Sequence, residues 1–373
     1  MILFLQQSIG AVIFGLTKFF SYILNGFGAK SGMKRRVTRK EIAERAGVSI
    51  ATVDRVINGR AAVRQRTATR VQFAAEALGF KPVAATTTDW SHAAEPIRCG
   101  FLLQRKDSLF YQLLADELEQ ALSGDTSLAA RLTIEFMDDY LEPLRVAEKM
   151  RSMGGRVDAL AVVATESPYI SEAIDTLMEQ QIPVVALLTD LSAVNLAGYV
   201  GIDNRMAGRT AAWAIAHRGR PGTVGVLIGS HGYLGQEDRE IGFRSYFREK
   251  APDYKVLEPV VCRDVPDVAY EQTLEMLKSS ENLVGIYTVG GGRNGTIRAL
   301  EEIRPSPMPT HVCHELTALT RPGLIAGTID LILDHDLPQL ARAAIKMLID
   351  IKTAPSKKQS AIVPFTIYTS ENI

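Results

Sequence analysis

Between Cys99 and Leu188, four apolar runs of strand length (CGFLL, LTIEFM, ALAVVA and PVVALL) alternate with amphipathic stretches at 109–122, 141–152 and 168–181. No other feature constrains the fold as much. Strands that are apolar almost throughout must be covered on both faces, and the intervening helices supply that cover. The pattern therefore predicts a parallel sheet with helices on each side. The rhythm resumes beyond Gly198 with TVGVLIG, KVLEPVV, LVGIYTV and THVC, again with helices between. Two successive sets of about four units predict two α/β lobes, and ligands of such sheets bind beyond the carboxyl ends of the strands. An apolar fraction of 46% in 373 residues is enough to fill both lobes and a further domain.

The segment before this alternation has a different character. The whole chain carries 42 basic and 42 acidic residues, a formal net charge of zero. Residues 33–82 nevertheless hold twelve Lys/Arg against four Asp/Glu, a surplus of eight positive charges. A phosphate backbone responds to charge within about 8 Å, so the local surplus is what counts. In this block Thr38 can cap a helix that Gly47 ends, and Ser49 can cap a second, ATVDRVIN. A third runs from about Thr67 to Leu78 and closes at Gly79. Ile42, Ala43 and Ala46 give the first an apolar face, as do Val53, Val56 and Ile57 the second, and Val71, Ala74, Ala75 and Leu78 the third. Helix, glycine turn, helix is the arrangement whose second helix enters the major groove of DNA.

The run VTRKEIAERAGVSIATVDRVINGRAAVRQRTATRVQFAAEALGFKP resembles, without a gap, the headpiece of the lactose-repressor (LacI/GalR) family. YVGIDNRMAGRTAA is similar to the element that opens the second lobe of that family's effector domain, a type I periplasmic sugar-binding fold. Together the resemblances cover residues 33–373. They imply an N-terminal all-α helix-turn-helix headpiece at 33–82, a linker at 83–97, and a two-lobed α/β domain at 98–373 for effector binding and dimerisation. They imply a ligand-responsive, sequence-specific transcriptional regulator, a repressor of genes for sugars or related small metabolites. It would act as a cytoplasmic homodimer on a palindromic operator, with a sugar or polyol effector and without cofactor, metal or membrane.

Recognition-helix geometry places Ile50, Ala51 and Arg55 at base edges. Arg55 can grip guanine O6 and N7, whereas Ile50 and Ala51 offer apolar contact to thymine methyls. Asp54 stands where the family often has serine; it could accept from cytosine N4 or simply repel phosphate. Thr38, Ser49, Thr52, Asn58 and Arg64 are the expected phosphate contacts. The linker departs from the family pattern, with Thr86–Thr88 and Asp89 in place of a hinge helix. Weaker DNA bending is therefore expected, with Trp90 as a substitute minor-groove wedge. In the effector domain the family's cleft positions fall on Phe110, Tyr111, Thr189, Asp190 and Asp203. In the second lobe they fall on Glu237, Arg239, Gly291, Arg293, Glu315, His335 and Asp336. These residues supply aromatic faces for sugar C–H surfaces and planar polar groups for hydroxyls. Glu237 is read as standing where relatives hold an arginine, with Arg239 nearby to compensate. A polyol or amino sugar is then as plausible as a neutral pentose or hexose.

Other readings compete with this one. The first thirty-two residues are markedly apolar, but Gln6, Gln7, Ser8 and Lys18 interrupt them and would be costly in hydrocarbon. No positive n-region precedes them, as a signal peptide needs. The expectation is an extension ahead of a true start at Met33. Cys99, Cys262 and Cys313 are odd in number and lack CxxC spacing, which fits buried thiols in a reducing compartment and no structural zinc. Gly290–Gly295 satisfies GxGxxG between a strand and a helix, with Glu315 about twenty residues on. An NAD-dependent dehydrogenase is therefore an alternative, although the run sits late in the chain. A periplasmic-type sugar-binding protein without regulation is another, against which the basic block argues. Cys313, His314 and Glu315 point apart on a strand, and neither HExxH nor GxSxG occurs, so no enzyme is expected.

Overall fold

The computed structural model describes residues 38–58, 67, 70, 71, 74, 75, 78, 95–125, 128–354 and 358–373. The chain divides into two compact units, residues 1–92 and 93–373. The expected N-terminal extension, Arg64, the Asn58 side chain, and linker residues 83–94 with Trp90 lie outside the described residues.

In the first unit, α1 (Arg39–Ala46) and α2 (Ile50–Asn58) flank a glycine turn. The Thr38 hydroxyl accepts from the Glu41 amide, while the Glu41 carboxylate accepts the Thr38 N–H at 2.8 Å, a reciprocal capping box. Gly47 ends α1 at φ 60°, in the left-handed region that a Cβ would strain. Arg70, from a third helical segment, donates to the carbonyls of Ala46 and Gly47 at 2.5 and 3.3 Å, satisfying orphan acceptors at the α1 terminus. Ile42, Ala43, Ala46, Val53, Val71, Ala74 and Ala75 form its core, the faces that the periodicity predicts.

The second unit has two lobes. The first is built from β1 (Ile97–Gln104), α3 (Leu109–Gly124), β2 (Ala130–Met137), α4 (Pro143–Gly154), β3 (Ala159–Val162), α5 (Pro168–Glu179), β4 (Val184–Leu187) and β5 (Gly198–Gly201). The chain then enters the second lobe: α6 (Asn204–Arg218), β6 (Thr223–Ile228), α7 (Leu234–Lys250), β7 (Lys255–Val256), β8 (Val260–Val261), α8 (Pro266–Ser279), β9 (Leu283–Thr288), α9 (Arg293–Ile303), β10 (Thr310–His314), α10 (Arg321–Ala326) and β11 (Leu331–His335). It returns to the first lobe with α11 (Leu337–Thr353) and β12 (Gln359–Ile362), and crosses again to end with β13 (Phe365–Tyr368). KVLEPVV, expected as one strand, is two short ones, since Pro259 between them has no N–H for the ladder.

The first sheet runs β12-β5-β4-β3-β1-β2 and is parallel throughout. The second runs β13-β11-β10-β9-β6-β7, with β8 also on β6, and only β13 is antiparallel. In each sheet the strand order reverses beside its first strand, between β1 and β3 and between β6 and β9. Such switch points open a crevice at the carboxyl ends. Three crossings join the lobes, at Ile202–Asp203, at Asp336, and at Val363–Pro364. α11 packs into the core of the first lobe, so the lobes share structural elements across these crossings.

Candidate effector cleft and nucleic-acid interface

A cleft of about 210 Å³ lies between the lobes, lined by residues just past the carboxyl ends of both sheets. At the switch point of the first lobe, Gln104 ends β1 and its amide donates to Val163 O at 3.1 Å and to the Tyr233 hydroxyl of the other lobe at 2.8 Å. Its carbonyl accepts from Tyr111 at 2.9 Å. That amide is well satisfied, so it fastens the walls of the cleft. Further bonds cross the mouth: Gly235 N–H to Thr189 Oγ1 at 2.9 Å, Glu166 N–H to Gly232 O at 2.6 Å, and Arg105 Nη1 to Asp264 O at 3.3 Å. The lobes are thus closed on one another.

One corner of the cleft carries donors only. Arg239 is 7% exposed and gives its Nε–H to Asn204 Oδ1 at 2.7 Å and Nη1–H to Val289 O at 2.8 Å. Among the described residues it forms no ion pair. Its Nη2 lies 3.5 Å from Nε2 of His335. Burial, with Arg239 and Arg293 nearby, pushes the His335 imidazole down to about 3, so it is neutral at pH 7. A guanidinium can only donate, which assigns the acceptor role to Nε2 and the proton to Nδ1. Nδ1 is buried and has no hydrogen-bond partner. The Phe110 ring packs 5.6 Å from this imidazole.

Acceptors also line the cleft. Asp264 and Arg263 both take positive φ, 55° and 52°, a strain that tends to persist at functional sites. Burial raises the Asp264 carboxyl, while the Gly291 N–H at 2.7 Å and the Arg293 and Arg105 charges pull it back. Glu315 pairs with Arg293 at 2.5 Å, both largely buried. Burial works against the Arg293 charge, but Glu315, Cys313 and Asp264 outweigh it. The Gly290–Gly292 loop that satisfies the dinucleotide fingerprint has its Gly291 amide occupied by the Asp264 carboxylate. A pyrophosphate there would meet a negative group instead of free donors. Among the described residues no three His, Cys, Asp or Glu side chains converge on a metal position.

Phe110, Tyr111, Thr189, Arg239, Gly291, Arg293, Glu315 and His335 all line the cleft. Asp190, Asp203, Glu237 and Asp336 do not. Asp190 pairs with Lys358 at 3.0 Å and caps the Leu191 amide. Asp203 and Asp336 are N-caps, accepting from Met206 and Gln339 at 2.9 Å, and each starts the helix that follows a lobe crossing. Their place in the sequence pattern reflects the hinge. Glu237 and Arg239 point in different directions. Two residues on a helix are about 200° apart, so Arg239 faces the cleft while Glu237 faces outward, 4.0 Å from His231. Of the two, Arg239 is the one that lines the cleft. Sequence reasoning missed Arg105, Tyr140, Tyr233, Gln236 and Asp264. Most follow the carboxyl end of an apolar strand closely, which is the signal that could have found them. Cys99, Cys262 and Cys313 are buried, their thiols pushed up to about 12, 11 and 12 mainly by burial.

In the headpiece, Ala51 and Arg55 are exposed on the side opposite the buried Val53, and Ile50, half exposed, lies at the edge between the two sides. The Thr38 and Ser49 hydroxyls are engaged locally, Ser49 with the Thr52 amide at 3.2 Å and its hydroxyl at 2.8 Å. Asp54 faces Arg39, with 2.9 Å between Oδ1 and Nη1.

Comparison with known proteins agrees with this geometry. Residues 38–83 match the lacI family of bacterial regulatory proteins, and residues 112–355 match the periplasmic binding protein domain. The ribose operon repressor of Bacillus subtilis is 28% identical over 224 residues, covering 59% of this chain and 63% of that protein's length. The sucrose operon repressor of Streptococcus mutans is 27% identical over 251 residues, 66% and 71% of the two chains. Among solved structures, a glucose-galactose binding protein from Geobacillus stearothermophilus superposes with a TM-score of 0.68 at 19% identity, over 75% of this chain and 99% of that one. A solute-binding protein from Actinobacillus succinogenes with bound D-allose gives 0.66 at 19%, over 74% and 98%. At that identity the likeness is one of fold. The chain belongs, over residues 112–355, to the periplasmic binding protein domain family, and carries ahead of it a helix-turn-helix domain of the lacI family of bacterial regulatory proteins.

Proposed function

We propose that this protein is a sugar-responsive transcriptional repressor that binds a palindromic operator as a cytoplasmic homodimer and carries out no catalysis. The observation that carries the reading is the donor-only corner of Arg239 and His335, set against aromatic rings in a cleft hinged by three crossings. A sugar offers ring and hydroxyl oxygens to those donors, hydroxyl protons to Asp264, and C–H faces to Phe110 and its neighbours. A volume of about 210 Å³ accommodates a monosaccharide or polyol. The sugar operon repressors among its relatives and the sugar-binding neighbours support the same class.

Arg239 also gives the cleft a route to the hinge. Its partner Asn204 donates to the Tyr199 hydroxyl at 3.1 Å, which donates to Ile202 O at 2.9 Å beside the first crossing. A ligand that engages Arg239 thereby biases the lobe angle, and with it DNA affinity, by a reciprocal coupling of about 1–3 kcal/mol. The test is thermal unfolding against a panel of monosaccharides, polyols and disaccharides, followed by operator binding with and without the compound that shifts it. A monosaccharide or polyol at a hundredfold its Kd is expected to add about 2.7 kcal/mol. A panel in which only disaccharides or non-sugars stabilise the protein would overturn the ligand class.

A further inference from the structure

We infer that Arg39 reads a base of the operator and that Asp54 acts by holding it, not by meeting a base itself; this rests on the headpiece being the DNA-binding element. The open face of α2 is defined by burial. Val53 is fully buried, whereas Ile50, Ala51 and Arg55 are exposed. Asp54 lies four residues after Ile50 and so shares its side of the helix. Arg39 comes from the start of α1, where the Thr38–Glu41 capping box fixes the backbone. Its Nη1 sits 2.9 Å from Asp54 Oδ1. A guanidinium tied to Asp54 at that distance sits at the Ile50–Asp54 flank of the exposed face, next to the side that carries Ala51 and Arg55.

The pair is too exposed to stabilise much, at 48% and 34%. What it supplies is orientation. A guanidinium has five donors in a rigid fork, and a carboxylate on one edge leaves the rest aimed in a fixed direction. Guanine O6 and N7 match that fork. A phosphate would not need an arginine so aimed, and the Asp54 charge beside it would repel the phosphate. Guanine carries no charge, so the Arg39–Asp54 pair can approach it without that cost. A contact from Asp54 to cytosine N4 would instead have to compete with Arg39.

The experiment selects operators from a random duplex pool with the full-length chain. Binding to single-base variants of the selected site is then measured for the wild type, Arg39→Ala, Asp54→Asn and Asp54→Glu, each checked for folding by circular dichroism. Arg39→Ala is expected to lose the preference for guanine at one position of each half-site, discrimination falling about tenfold to a hundredfold, with other positions unchanged. Asp54→Asn should weaken the preference at that same position, and Asp54→Glu should restore most of it. Three results would overturn the assignment. Uniform weakening across all sites, with a salt slope smaller by about one, would make Arg39 a phosphate contact. No effect of either residue would leave only a surface ion pair. A cytosine preference lost in Asp54→Asn but kept in Arg39→Ala would make Asp54 the reader. A wild type that selects no common sequence would instead overturn the regulator reading itself, and this one with it.

Discussion

On the proposed function, an Arg239→Ala variant is expected to lose the sugar response while still binding operator DNA. The guanidinium is buried in the corner where the cleft presents donors only, and it has no carboxylate to neutralise it among the described residues. A ligand oxygen placed there gains charge-assisted bonds of about 1.5–3 kcal/mol each. Losing one or two of them weakens binding roughly a hundredfold or more. Operator binding in the absence of sugar uses the headpiece, which the substitution does not touch. Calorimetric titration of the sugar, with operator affinity measured in parallel, checks both halves. Truncation also leaves Asn204 Oδ1 and Val289 O without their donor, at a cost of about 1–3 kcal/mol each. Arg239→Lys is the companion that keeps the charge and loses the fork; it should retain the fold and bind sugar about tenfold more weakly. Unchanged sugar affinity in both variants would remove Arg239 from the site.

Gly208→Ala should be among the most destabilising small substitutions in the protein. A methyl group at Gly208 of α6 would land on the Arg239 carbonyl of α7, and one at Gly242 of α7 would land on the Arg205 carbonyl of α6. The two helices therefore meet backbone to backbone at these two glycines. Neither contact can relax by rotating a side chain, because each obstacle is main chain. A loss of about 3 kcal/mol or more is expected, at the upper end of overpacking costs. This lowers Tm by roughly 6–10 °C for a unit of this size. Forcing α7 outward also displaces Arg239, so sugar affinity should fall with stability. Gly124→Ala is the control. It ends α3 with open space around the position, and should be neutral or stabilise by about 0.5–1 kcal/mol. Equal Tm values for the two variants would refute the close helix contact.

Much of this was legible in the sequence. The headpiece helices, with Thr38, Gly47 and Ser49 at their ends, are local events. Caps and apolar periodicity act within a turn or two, and the burial of Ile42, Val53 and Val71 follows from them. The strand–helix alternation likewise implied parallel sheets, since a strand apolar on both faces has few other ways to be covered. Eight of the twelve cleft candidates line the cleft, and all of them but Arg239, which lies within α7, sit at or shortly after strand ends, where such sheets bind their ligands.

What the sequence could not decide depends on contacts between distant segments. Asp203 and Asp336 look like ligand carboxylates in a linear reading, and only the three lobe crossings turn them into helix caps at a hinge. Glu237 and Arg239 differ by two positions, and which of them faces the cleft depends on how α7 is rotated against α6. That rotation is set by the Gly208 and Gly242 contacts. The pairing of Arg39 with Asp54 joins two helices across a turn, and no spacing rule announces it. Asp264 in the cleft wall depends on a strained pair of residues after a two-residue strand, too short to leave a periodic signal. Periodicity and caps are properties of neighbours along the chain, so sequence determined the elements and the families of residues at their ends. Direction and charge environment are properties of neighbours in space, so tertiary packing alone decided which of those residues line the cleft and which cap helices at the lobe crossings.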